Sequence, residues 1–327
     1  MKILNLIRYK NLIFIVLIQW LVFYSVISPI LQKFNVEILL SSFAFWLIVL
    51  ATVLIAAGGY VINDYFDLKI DRINRPESVI IGENMSKKTA MRLYITLTSI
   101  GILLGIIISI LLKSSTLGLI FIIVPGMLWF YSSSYKRQFL VGNLIVALVS
   151  ALSLVVVLVA QCALLINIYG TDLLRQTPVL QELYRWVCGF ALFAFLFTLV
   201  REIIKDLQDI NGDREMECRT LPIVLGECKA KIVITALLSI ILTGTYFVMQ
   251  KFSLPNDNGI TFRYFLFGIF LPAGLAIGFL WNKQFNYKMS GNLIKFTMLI
   301  GILYTLIFNF LLAKTYGFAL FGIFQIV

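Results

Sequence analysis

The stretch ILLSSFAFWLIVLATVLIAAGGYVI, residues 38–62, runs for 25 residues without a charge and leads directly into NDYFDLKID, residues 63–71. A helix needs about 20 apolar residues to cross the hydrocarbon core of a bilayer. The first segment therefore reads as a membrane span, and the second places Asp64, Asp67 and Asp71 where that span meets water. Ionisable groups at such a place are expensive and call for a purpose.

Working outward, the whole chain has the same character. It is 327 residues long and 60% hydrophobic, with a mean hydropathy of +0.96, far from the composition of a soluble domain. Nine apolar runs are long enough to span: roughly 12–30, 38–62, 93–112, 117–134, 144–166, 184–200, 232–249, 264–281 and 296–313. The fold class expected is all-α, a polytopic membrane protein of nine helices around a central cavity, with residues 1–327 forming a single integral membrane domain. The N-terminal run follows Lys2, Arg8 and Lys10 but is too long for a signal-peptide core and lacks a small-residue cleavage site, so it reads as the first span.

Charge sets the orientation. With the N-terminus cytoplasmic, 20 of the 27 Lys and Arg fall inside, and Lys33, Lys113, Arg175, Arg185, Lys251, Arg263 and Lys314 fall outside, which satisfies the positive-inside rule. The net charge of +11 thus reflects topology and not nucleic acid. The expected location is the cell inner membrane of a bacterium or archaeon, with both acidic loops cytoplasmic. Cys162, Cys188, Cys218 and Cys228 have no metal-ligand or CxxC spacing, and there is no histidine. Any metal chemistry must use oxygen donors, which suit hard cations such as Mg2+.

Twelve of the sixteen acidic residues lie in two hydrophilic loops, 63–92 and 201–231. Asp64, Asp67 and Asp71 recur as Asp206, Asp209 and Asp213, each 142 residues further on, and Arg75-Pro76 is echoed by Arg219-Thr-Leu-Pro222. Four spans separate the two, so the repeat is parallel. On a helix, positions i, i+3 and i+7 share one stripe; Asn63 joins the first, and Glu202 extends the second upstream. Carboxylates so close repel, and something positive should lie among them. Salt bridging by Lys69, Arg72, Lys205 and Arg214 is the plainer reading. The sharper one is that the stripes face each other and hold divalent cations, which hold a phosphate-bearing substrate, with Arg72 and Lys205 as further phosphate contacts. An isoprenyl diphosphate suits such a site: its tail is lipid-like, and its head needs metal.

With these motifs the chain resembles the UbiA-type intramembrane prenyltransferases along essentially its whole length. That resemblance implies Mg2+ held by Asn63, Asp67, Asp71, Asp206, Asp209 and Asp213, with the five aspartates as the catalytic set and Asp64 in support. Arg8-x-x-Asn11 and Tyr131-x-x-x-x-Lys136-Arg137 followed by Gly142-Asn143 are similar to further family segments. They imply that Arg8 and Lys136 bind the diphosphate, and they mark Asn11, Tyr131 and Asn143 as substrate-side residues; positive-inside anchoring of Arg8, and helix capping or pairing by Asn11 and Asn143, are the plainer readings. Within the family, Arg201-Glu-Ile-Ile-Lys205-Asp206, Asn211-Gly-Asp-Arg214 and Arg219-Thr-Leu-Pro222 resemble the digeranylgeranylglyceryl phosphate synthase branch. The implied reaction is transfer of a geranylgeranyl group to a lipid-soluble acceptor, geranylgeranylglyceryl phosphate, with no protein partner. The loop after Arg75-Pro76 departs from the family, continuing Glu-Ser-Val-Ile-Ile-Gly82. An aromatic acceptor of quinone biosynthesis is the alternative. A cation transporter is a more distant one, because its acids would sit at the midplane of inverted repeats. A CDP-alcohol phosphotransferase would carry a DG-x-x-AR opening, which is absent.

Overall fold

The computed structural model describes residues 2–74, 76–252, 254–282 and 287–321. Arg75, Lys283 and the last six residues of the apolar tail lie outside them. Among the described residues, nine helices are long and apolar enough to cross a membrane: Tyr9–Lys33, Ser42–Ile73, Lys87–Leu111, Ser115–Ser133, Val141–Tyr169, Val179–Gln208, Glu227–Lys251, Ile260–Trp281 and Tyr287–Tyr316, called spans 1 to 9. The protein is an integral, multi-pass membrane protein.

Two spans outrun their hydropathy. Span 2 continues to Ile73, so the first acidic motif rides on the helix and not in a loop. Backbone hydrogen bonding is indifferent to the polarity of Asn63 or Asp64, and Leu68 and Val61 anchor the extension by packing with Leu6, Ile81 and Ala90. Span 6 likewise runs eight residues past its expected end at 200, to Gln208. The second motif, however, is not one helical stripe. Asp209 closes span 6 with φ −96° and ψ 9°, and Asp213 stands on a separate short helix, Ile210–Glu215. Asn211 and Gly212, poor helix formers, coincide with this break.

Spans 2 and 3 pack most extensively, followed by 5 with 6, 8 with 9 and 6 with 9. Association within a bilayer relies on close backbone approach and interhelical hydrogen bonds, and both occur. A Cβ on Gly101 of span 3 would come within 2.7 Å of Ile55 Cγ1 and 3.1 Å of the Ala51 carbonyl of span 2. Buried Gln19 of span 1 donates to the Ser153 carbonyl of span 5 at 2.9 Å and to Thr52 Oγ1 of span 2 at 3.2 Å. Spans 1 and 8 each widen by a π-type turn, Phe23–Ile27 and Leu266–Phe270, just before Pro29 and Pro272, where the ring denies the helix an N–H. Large side chains such as Phe43, Ile110 and Ile240 are left on the outer surface, as a hydrocarbon solvent requires.

Candidate active site

One end of the bundle gathers the polar residues. Span 2 and span 6 both finish there, span 5 begins there, and the 3-10 turn Tyr135–Arg137 closes the gap between spans 4 and 5. That turn can lie against the start of span 5 only because residue 142 is glycine: a Cβ there would meet Lys136 Cα at 2.8 Å and the Tyr135 carbonyl at 3.1 Å. The Arg219 N–H donates to the Arg137 carbonyl at 2.8 Å, tying the turn to the chain that follows the second motif. Lys136 is thereby held between the two acidic motifs.

A cavity of about 40 Å³ lies among them. From span 2 it is lined by Asn63, Asp67 and Asp71, and from span 6 and its extension by Asp206, Asp209 and Asp213. Arg8, Tyr131, Lys136, Asn143 and Lys205 also line it. Buried Asp67 pairs with the Lys136 ammonium. Burial alone would weaken that ammonium's hold on its proton, but Asp67 outweighs it and raises the pKa, so Lys136 is a fixed cation. Asn143 Nδ2 donates to Asp206 Oδ2 at 2.8 Å. Burial pushes the carboxyl of Asp213 up to about 6, against the attraction of Lys136.

Three expected site residues stand aside. Asp64, one turn from Asp67, turns to Arg8, whose Nη2 donates to its Oδ1 at 2.8 Å. Arg8 takes a left-handed backbone, φ 52° and ψ 54°, at the start of span 1, and its guanidinium also lies 5.0 Å from the Tyr60 ring centre. Asn11 sits against the Tyr60 hydroxyl and does not line the cavity. Arg72 points away to Glu83, at 3.6 Å, with its side chain more than half exposed. Conversely, Glu202 belongs to the cavity wall although its place on the stripe had given it no role of its own. It is 7% exposed, is paired with Arg201, and lies 3.9 Å from Lys205. Its position four residues before Asp206 was the available signal.

The donor set is suited to a hard cation. It consists of oxygens, and the Oδ1 of buried Asn63 has no hydrogen-bond partner in the structure, an uncommon state for a buried acceptor. Among the described residues, no three carboxylate or thiol side chains converge closely enough to enclose an ion alone. An ion here would have to share its coordination with substrate oxygens, as Mg2+ commonly does.

A bundle of apolar helices with two acidic motifs converging on one polar cavity defines a multi-pass membrane protein with an oxygen-rich site at one end. The sequence profile of the UbiA prenyltransferase family matches residues 34–284, and the chain belongs to that family. It is 34% identical over 211 residues to the digeranylgeranylglyceryl phosphate synthase of Methanosphaera stadtmanae, a match covering 64% of this chain and 65% of that one, just under two-thirds of the relative's length. It is 31% identical over 273 residues to the enzyme of the same name from Thermococcus sibiricus, covering 82% and 84%. Its fold is that of a UbiA homolog from Archaeoglobus fulgidus bound to GPP and Mg2+, with a TM-score of 0.56 and 15% identity over 94% of this chain and 99% of that one.

Proposed function

We propose that this protein transfers a geranylgeranyl group from its diphosphate to the free hydroxyl of geranylgeranylglyceryl phosphate, forming an ether. The observation that carries the reading is the convergence of both acidic motifs with Lys136, Arg8 and Lys205 on one cavity at the rim of an apolar bundle. The curated relatives, named for this reaction, favour the glycerol phosphate acceptor over an aromatic one. The orientation proposed puts the N-terminus and this cavity on the cytoplasmic side, following the distribution of Lys and Arg.

In this reading Asn63, Asp67, Asp71, Asp206, Asp209 and Asp213 would hold Mg2+, which would supply charge neutralisation for a departing diphosphate. Lys136, Arg8 and Lys205 orient the phosphate oxygens, Arg8 steadied by Asp64 and Lys205 by Glu202. The allylic C–O bond breaks with its electron pair leaving on the diphosphate. The apolar helices below shield the allylic cation from water until the acceptor oxygen bonds to it. With no histidine in the chain, the hydroxyl proton passes to a carboxylate of the cavity or to the released diphosphate.

The test is to supply purified protein with labelled geranylgeranyl diphosphate and a panel of glycerol phosphate and aromatic acceptors, with and without Mg2+. A labelled ether lipid that forms only with the metal is expected. Label in an aromatic product would move the acceptor assignment, and no transfer to any acceptor would remove the reading.

A further inference from the structure

The end of the bundle opposite the acidic cavity holds a second cavity, about 240 Å³, between the last turns of spans 1, 7 and 9 and the first turn of span 6. Lys33, Arg185 and Lys251 reach it from three different spans, 1, 6 and 7. They are three of the seven basic residues that the charge distribution leaves on this side. One carboxylate, Glu182, faces them, and it is fully engaged. It accepts from Arg185 Nη1 at 3.0 Å and from Trp186 Nε1 at 3.2 Å, with Lys33 Nζ at 4.0 Å. Among the described residues Lys251 has no carboxylate partner; its ammonium lies 5.7 Å from the ring centre of Phe252, over which the Arg185 guanidinium also sits at 5.3 Å.

Three cations around one acid repel one another, and residues that served only as interfacial anchors would gain by spreading around the rim. Their convergence leaves a net positive charge at the mouth of the cavity. The floor is apolar: Ile30, Phe308 and Leu312 line it, with the Trp186 ring 4.4 Å from that of Phe308. A site positive at the mouth and greasy at depth complements a phosphate joined to a hydrocarbon chain, the cations meeting the phosphate oxygens and the apolar floor the methylenes. We propose that this cavity is a binding site for an anionic phospholipid, its phosphate held by Lys33, Arg185 and Lys251 and its first methylenes packed on Trp186 and Phe308. The proposal is independent of the reaction assigned to the other end.

Native mass spectrometry of the full chain in detergent tests it, with dioleoyl phosphatidate, dioleoyl phosphatidylcholine and inorganic phosphate as probes. Phosphatidate should be retained as a one-to-one adduct and phosphatidylcholine lost under the same conditions. Lys251→Gln removes a cation with no ion pair to lose, so the fold should survive, and phosphatidate retention should fall about tenfold. The triple change of Lys33, Arg185 and Lys251 to Gln should abolish it, and Lys113→Gln, on the same side but outside the cavity, should leave it intact. Equal retention of phosphatidylcholine, an adduct unmoved by Lys251→Gln, or displacement of the lipid by equimolar inorganic phosphate would each overturn the proposal.

Discussion

The first acidic motif rides on an unbroken helix and the second is bent in its middle, although both read DxxDxxxD. In span 2 the residues after Asp67 are Leu68, Lys69 and Ile70, and two of these are buried, so packing and propensity carry the helix past Asp71. In the second motif the same three places hold Ile210, Asn211 and Gly212, and the helix restarts at Ile210. The backbone N–H of Cys218 donates to the Asp213 carbonyl at 2.9 Å, folding the following chain back over the short helix. Equal spacing therefore means equal geometry only where the intervening residues keep one helix running. The first motif is a rigid rail and the second a folded clasp, each held by a different neighbour: Asp67 by Lys136, Asp206 by Asn143.

Those two neighbours allow the comparison to be broken most forcefully. Either Asp67→Ala or Asp206→Ala should lower geranylgeranyl transfer by roughly a thousandfold, because each removes a carboxylate from the group proposed to manage the diphosphate charge. Their stabilities should differ. Asp67→Ala strands a half-buried ammonium and should cost about 3–5 kcal/mol, while Asp206→Ala leaves only a neutral amide without its acceptor, a loss of about 1–3 kcal/mol. Adding Lys136→Met to Asp67→Ala should restore much of the thermal stability and none of the transfer. Equal melting losses for the two single variants would erase the distinction between rail and clasp.

A smaller effect is expected from the hinge between them. Gly142→Ala drives a Cβ into the backbone of Lys136 and should shift the turn that carries the ammonium by a few tenths of an ångström or more. Displacements on the order of 1 Å at a positioned group can cost about a hundredfold in rate, so a fall of roughly tenfold or more in kcat/KM is anticipated. The loss should grow when Asp67 is intact and vanish in a Lys136→Met background. A Gly142→Ala enzyme with unchanged kcat/KM would mean that the turn is not what aims Lys136.

Nine spans were legible in the sequence because hydrocarbon demands long apolar runs, and few other solutions satisfy the backbone there. Their ends were not. Hydropathy falls at Asn63 and Arg201, yet both helices continue, since tertiary contacts of Leu68 and of buried Ile203, Ile204 and Leu207 sustain them. The meeting of the two motifs could be read from their repeated spacing and their common side of the membrane. Partner choice could not. Asp64 shares a stripe with Asp67 and Asp71, but Arg8, itself left-handed at the start of span 1, brings its guanidinium within 2.8 Å of it. Nothing in the local sequence signals that conformation, because φ above zero is uncommon for any residue but glycine. Glu202 was visible on the stripe, but its value depends on Arg201 and Lys205 closing around it.

Arg72 sharpens the comparison from its weakest side. Sequence placed it next to Asp71 as a phosphate contact, whereas in the structure it reaches along the surface to Glu83 of the connection to span 3. Both partners are more than half exposed, and exposed pairs contribute about 0–1 kcal/mol. Arg72→Gln should therefore leave thermal stability within about 0.5 kcal/mol and change the KM for geranylgeranyl diphosphate by less than about twofold. Lys205→Gln, on the clasp, sits beside buried Glu202 on the cavity wall and should raise that KM about tenfold, the value of one charge-assisted phosphate contact. If Arg72→Gln raised KM as much as Lys205→Gln, the connection carrying Glu83 would have to fold over the cavity when substrate binds. The rail would then recruit its own cation, and the asymmetry between the two motifs would belong to the ligand-free arrangement alone.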